Sequence, residues 1–211
     1  MIRFILLAAE FCIVFAGLPL LIYYKILPNF PIPYLLLMAL AAFLVLHYDP
    51  SFDSARLTNW PGIRPHLVPL LLRDAVFLAI LGVGVRLFAP DLLFSLLRRA
   101  PVLWSAIMLL YPLLSVYPQE LIYRAFLMHR YQALFGSGWA LLVASALAFG
   151  FVHIIFGNWL AVGLCVIGGF LFSVTYQQSG SLLLACLDHA LFGNFIFTIG
   201  LGKFFYHGTR M

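Results

Sequence analysis

The run from Trp139 to Phe156 reads WALLVASALAFGFVHIIF and holds no Asp, Glu, Lys or Arg. As an α-helix it is about 27 Å long, close to the ~30 Å hydrocarbon core of a bilayer. Outward from it the pattern repeats. Leu160 to Tyr176 and Leu182 to Leu201 follow; Phe4 to Tyr24, Tyr34 to His47, Val68 to Phe88, Val102 to Tyr117 and Leu121 to Phe135 precede. The stretches between these runs carry helix-ending residues: Pro28, Pro31 and Pro33, the polar segment His47 to Pro65, Pro90 to Pro101, Pro118, Gly136 to Gly138, Gly157 with Asn158, and Gln177 to Ser181. The expected fold is an all-α, polytopic integral membrane helix bundle of about eight transmembrane helices. The runs 34–47 and 121–135 are short for a crossing without tilt or bilayer thinning.

Composition agrees. The 211 residues are 64% hydrophobic and 9% charged, with a mean hydropathy of +1.07, which excludes a water-soluble globule. Twelve Lys and Arg against seven Asp and Glu give a net charge of +5. These basic residues are scattered between apolar runs, so no patch tracks a phosphate backbone and no nucleic-acid partner is expected. Cys12, Cys165 and Cys186 each lie in an apolar run without metal-ligand spacing, which argues against a disulfide framework or a zinc knuckle. The first run carries Glu10 and passes into Tyr23, Tyr24 and Lys25 without a small-residue cleavage site, so it reads as a retained anchor. The distribution of Lys and Arg only weakly favours an inside N-terminus.

Chemistry must then reside in the few polar residues inside the spans, since an ionisable group at membrane depth is costly and faces the bundle interior. Three groups stand out. Tyr117, Pro118, Gln119, Glu120 and Arg124 form the first; Glu120 and Arg124, four apart, share a helix face and can pair. Pro118 suits a first helical turn, which places Glu120 near a helix N-terminus. Phe149 and His153 form the second, and Asp188, His189, Gly193 and Asn194 the third. An ion pair or a lone histidine can each be a packing contact. One carboxylate and two histidines on three helices can also converge on one site. Glu10, Arg73, Asp74, His129, Gln178 and Asp188 read as interfacial or packing groups.

In this order, Gln119-Glu120-Arg124, Phe149-His153 and His189 resemble the three motifs of the CAAX protease and bacteriocin-processing family, EExxxR, FxxxH and HxxxN, over Pro101 to Leu201. The resemblance implies eight transmembrane helices and a glutamate-dependent intramembrane endopeptidase. It divides the chain into N-terminal helices (1–100), a catalytic helix bundle (101–201) and a short tail (202–211). It implies catalytic roles for Glu120, Arg124, His153 and His189, with Glu120 and His153 activating water and His189 binding the oxyanion.

Two positions depart from the pattern. Gln119 stands where the family's first glutamate acts as base, and a carboxamide cannot take a proton from water. Gly193 stands where the asparagine is expected; Asn194, one residue on, points about 100° away on an ideal helix and enters the site as an oxyanion donor only through a local bulge. No cofactor or metal is implied, and the expected partners are a peptide or protein substrate in the membrane and the lipid bilayer. A bacterial inner membrane is the expected location. Two alternatives stay open: a zinc protease with Glu120, His153 and His189 as ligands, and a non-catalytic immunity or scaffold protein in which the same groups form a buried network.

Overall fold

The computed structural model describes residues 1–205, and every regular element among them is helical. The short tail expected at 202–211 falls largely on residues 206–211, outside the described residues; Leu201–Phe204 form one 3₁₀ turn. Among the described residues, six helical stretches are long and apolar enough to cross a membrane. They are α1 (Ile2–Tyr23), α2 (Pro31–Tyr48), α3 (Ser54–Phe88), α4 (Pro101–Arg130), α5 (Trp139–Phe156) and α6 (Trp159–Ser179). A shorter apolar helix, α7 (Leu182–Thr198), closes the bundle. The chain is a multi-pass membrane protein.

The runs 102–117 and 121–135, read as separate crossings, follow one another within α4. Proline is a stop signal in water because it removes a backbone donor, whereas helices in lipid tolerate it when other groups supply the missing bonds. Here Pro112 opens a π-helical turn, Pro112–Val116, and a second π turn covers Leu121–Phe126. The helix stays continuous through Pro118. Glu120 therefore sits inside a helix, not at its N-terminus, and its counter-charge comes from side chains.

Tight packing centres on α5 and α6. A Cβ at Gly150 would collide with Val166 of α6, and one at Gly169 with the Phe149 ring of α5, so these two glycines set how closely the helices approach. Their connection turns at Gly157 (φ 70°), and Asn158 accepts a hydrogen bond from the Ala161 amide at 2.8 Å to start α6. Gly180 (φ 60°) ends α6, and Ser181 caps α7. Helix α7 packs against α6, α3 and the first half of α4, while α2 packs against the middle of α4. The outer faces carry exposed large apolar side chains such as Leu37, Leu40 and Phe43 on α2, and Leu72, Val76 and Ile80 on α3. Such faces suit lipid, which satisfies them as well as a protein core does.

Candidate active site

Glu120 of α4 is fully buried, and its Oε1 lies 2.9 Å from Nδ1 of His189 on α7. Its Oε2 lies 3.1 Å from Arg124 Nε, an ion pair by distance. That contact lacks the alignment of a hydrogen bond, so among the described residues neither Glu120 Oε2 nor Arg124 Nε has a hydrogen-bond partner. The guanidinium is instead tied through Nη1 to Ser145 Oγ on α5 at 2.9 Å. Ser145 donates to the Tyr123 carbonyl at 2.8 Å and accepts from Ser173 of α6 at 3.1 Å. Two aromatic rings complete the cage: the guanidinium carbon stands 4.9 Å over the Phe149 ring and 5.8 Å from that of Phe172. A buried charge pair is tolerated only when geometry and further bonds offset its lost hydration. Two serines and two ring faces supply that offset here.

His189 is fixed on all sides. Its ring stacks on Phe172 (4.7 Å, 15°), meets Phe149 edge-on (5.3 Å, 89°), and its Nε2 lies 3.0 Å from the Tyr111 hydroxyl. His153, near the C-terminal end of α5, touches the same Phe149 ring at 5.0 Å. Its Nδ1 is 2.8 Å from the Phe149 carbonyl. A carbonyl only accepts, so Nδ1 carries the proton and Nε2 of the neutral ring keeps its lone pair. The three expected residues thus gather unevenly. Glu120 and His189 bond directly, while His153 reaches them across Phe149 with no hydrogen bond to either among the described residues.

Asn194 is placed elsewhere. Its Nδ2 lies 3.4 Å from the Met108 carbonyl, which is the acceptor that Pro112, lacking an N–H, cannot serve four residues on. Asn194 thereby supports the proline-containing helix. At Gly193 a Cβ would collide with the ring and hydroxyl of Tyr111, so the space beside His189 on that face of α7 belongs to Tyr111. Gln119 donates to Ser115 Oγ at 2.6 Å, and its Oε1 is buried without a partner. Sequence reasoning missed Tyr111, Ser145, Ser173 and Phe172. The one available signal was Gly193, since a missing side chain beside a histidine leaves room for another helix to fill.

A second buried cluster shares α7. Arg73 of α3 binds Asp74 (2.7 and 2.9 Å) and Asp188 (2.6 Å), and Thr175 of α6 donates to Asp188 at 2.6 Å. Asp188 was read from sequence as a packing group, and it braces α7 against α3 and α6. Near the loops, Arg130 pairs with Glu10 and His129 with Asp49.

A cation fits the Glu120 site poorly. Both carboxylate oxygens already face Arg124 and His189, and no three His, Cys, Asp or Glu side chains among the described residues are disposed around one ion.

These features define a multi-pass helical membrane protein with a buried carboxylate, arginine and histidine centre on its later helices. Residues 100–195 match the family described as Type II CAAX prenyl endopeptidase Rce1-like, so a little under half of the chain is similar to that family. The matched segment contains Glu120, Arg124, His153 and His189, and it supports a protease role in the membrane. No curated protein and no solved structure matches the chain.

Proposed function

We propose that the chain is an intramembrane endopeptidase that cleaves a membrane-associated or lipidated peptide, with Glu120 as the proton acceptor. The observation that carries this reading is the state of the Glu120 carboxylate. Oε1 is occupied by His189 Nδ1–H, whereas Oε2 lies beside a guanidinium but accepts no hydrogen bond from the described residues. Oε2 is therefore the atom able to take a proton from water. The Nε2 lone pair of His153 holds the water's second hydrogen, and the water oxygen adds to the scissile carbonyl carbon. The proton on Glu120 then passes to the leaving nitrogen as the C–N bond breaks. Arg124 supplies the counter-charge, and Gln119 orients water or substrate through its unpartnered Oε1.

The non-catalytic reading is favoured by one observation, the amide at position 119. A single experiment separates the two. The full chain, reconstituted in liposomes, is given a farnesylated peptide ending in a CAAX sequence and its unprenylated counterpart. Release of the C-terminal tripeptide, faster from the farnesylated probe, is the expected result. Cleavage of neither probe by the wild type, with cleavage switched on by Gln119→Glu, would overturn the reading and make the chain a non-catalytic protein.

A further inference from the structure

We infer that the Tyr111 hydroxyl is a catalytic group, the hydrogen-bond donor to the oxygen that turns negative when water adds to the scissile carbonyl. This inference rests on the endopeptidase reading above and adds to it a residue outside all three sequence motifs.

Three observations lead to it. The first is proton accounting along one line of atoms, Glu120 Oε1, His189 Nδ1 and Nε2, and Tyr111 Oη, with separations of 2.9 and 3.0 Å. A carboxylate only accepts, so the proton of the first bond sits on Nδ1. When the ring carries that single proton, Nε2 has a bare lone pair, and the proton of the second bond belongs to Tyr111. In this arrangement His189 has no proton to offer an oxyanion, and the donor standing next to it is the tyrosine.

The second observation is spatial. Residue 193 lies one helical turn beyond His189, on the same face of α7, and it is glycine. A Cβ there would strike the Tyr111 ring and hydroxyl. The volume that a polar side chain at 193 would use to reach the His189 edge is filled by a polar group delivered from α4.

The third is rigidity. The Tyr111 ring is held edge-on by His189 (6.0 Å, 81°) and by Phe197 (5.5 Å, 68°), and Pro112 follows it in the chain. A donor already placed in a desolvated site needs little reorganisation when charge appears, which is the condition for strong transition-state stabilisation. In the resting site the hydroxyl bonds to His189 Nε2. When the carbonyl oxygen becomes negative it is the stronger acceptor, because a hydrogen bond to an ionised group outweighs one to a neutral group. The hydroxyl turns onto it without any transfer of its proton.

The test compares wild type with Tyr111→Phe, which removes the hydroxyl and keeps the ring. On the farnesylated CAAX peptide, kcat should fall by about 10² to 10³, the loss typical of one oxyanion donor, with KM within about twofold. Equal kcat in the two proteins would overturn the inference while leaving the endopeptidase reading intact. A rise in KM alone would also overturn it, by making Tyr111 a packing strut. A second measurement does not require turnover. A peptidyl aldehyde, whose hydrate mimics the tetrahedral intermediate, should bind wild type at least about tenfold more tightly than the corresponding alcohol, and Tyr111→Phe should erase that preference. A wild type without the preference overturns the inference. The converse variant sharpens it: Tyr111→Ala with Gly193→Asn restores an amide donor to the emptied space and should recover part of the lost kcat, whereas Tyr111→Ala alone should not.

Discussion

Asp188 and His189 are neighbours on α7, yet they serve opposite clusters, because one residue turns a helix by about 100°. Asp188 meets Arg73, Asp74 and Thr175, where the guanidinium hydrogen-bonds three side chains. His189 meets Glu120, whose partner Arg124 approaches without hydrogen-bond alignment. The first cluster saturates its arginine and ties α3, α6 and α7 together. The second leaves two guanidinium nitrogens, Arg124 Nε and Nη2, without a hydrogen-bond partner among the described residues, with aromatic walls around them. Each cluster keeps buried carboxylate oxygens without a hydrogen-bond partner among the described residues, Asp74 Oδ2 and Asp188 Oδ1 in the first and Glu120 Oε2 in the second, so the arginine is what differs: fully bonded in the brace, loosely held beside Glu120.

The largest expected effect tests that division. Glu120→Gln keeps shape but removes the proton acceptor, and should lower kcat by about 10² to 10⁴ with membrane insertion unchanged. Asp188→Asn, one residue from the other site histidine, should change kcat by less than about tenfold, or ~1.4 kcal/mol. Equal losses in the cleavage assay would mean that the two clusters act as one. Next, Arg73→Ala strands two buried carboxylates and should destabilise the fold by about 3–5 kcal/mol, read as a lowered thermal midpoint in detergent. An unchanged midpoint would remove the bracing role.

How far the sequence anticipates these clusters depends on the range of the interaction. The Glu120 and Arg124 pair follows from a spacing of four, and the limits of α5, α6 and α7 follow from run lengths and from Gly157, Gly180 and Ser181. The grouping of Glu120 with His189 was suggested by motif order. The bond of Arg73 to Asp188, 115 positions apart, and the arrival of Tyr111 at Gly193 depend on helix packing that no local pattern encodes. The continuity of α4 is hidden from the sequence for a different reason: Pro112 and Pro118 are breakers by rules drawn from water, and Asn194 supplies from another helix a donor that Pro112 lacks.

A smaller effect is expected at Gln119. Gln119→Ala removes a hydrogen bond to Ser115 and a positioning amide, so it should cost ~1 kcal/mol, about fivefold in kcat. A loss as large as that of Glu120→Gln would move the proton-handling centre toward residue 119. The smallest lies outside the bundle interior. Asp49 has its carboxyl held well below the ordinary carboxylate range, first by the Ser51 hydroxyl and then by His129. Because the folded-state value is depressed, its contribution is complete above the unfolded-state value near 3.9 and fades as pH falls below it. The stability of wild type and Asp49→Asn should therefore converge on acidification, a trend that pH-dependent melting would check.

The π turns of α4 carry a further consequence, which concerns helical phase. Each π turn adds residues to a turn of helix, so the two at Pro112–Val116 and Leu121–Phe126 set the azimuth of everything beyond them. Removing one residue from the first would leave Tyr111, Glu120, Arg124 and His189 all in the chain, while rotating Glu120 by about 100° relative to Tyr111. The site is thus stored partly as a count of residues between two side chains, and an alignment that preserved every motif could still lose it through a single gap.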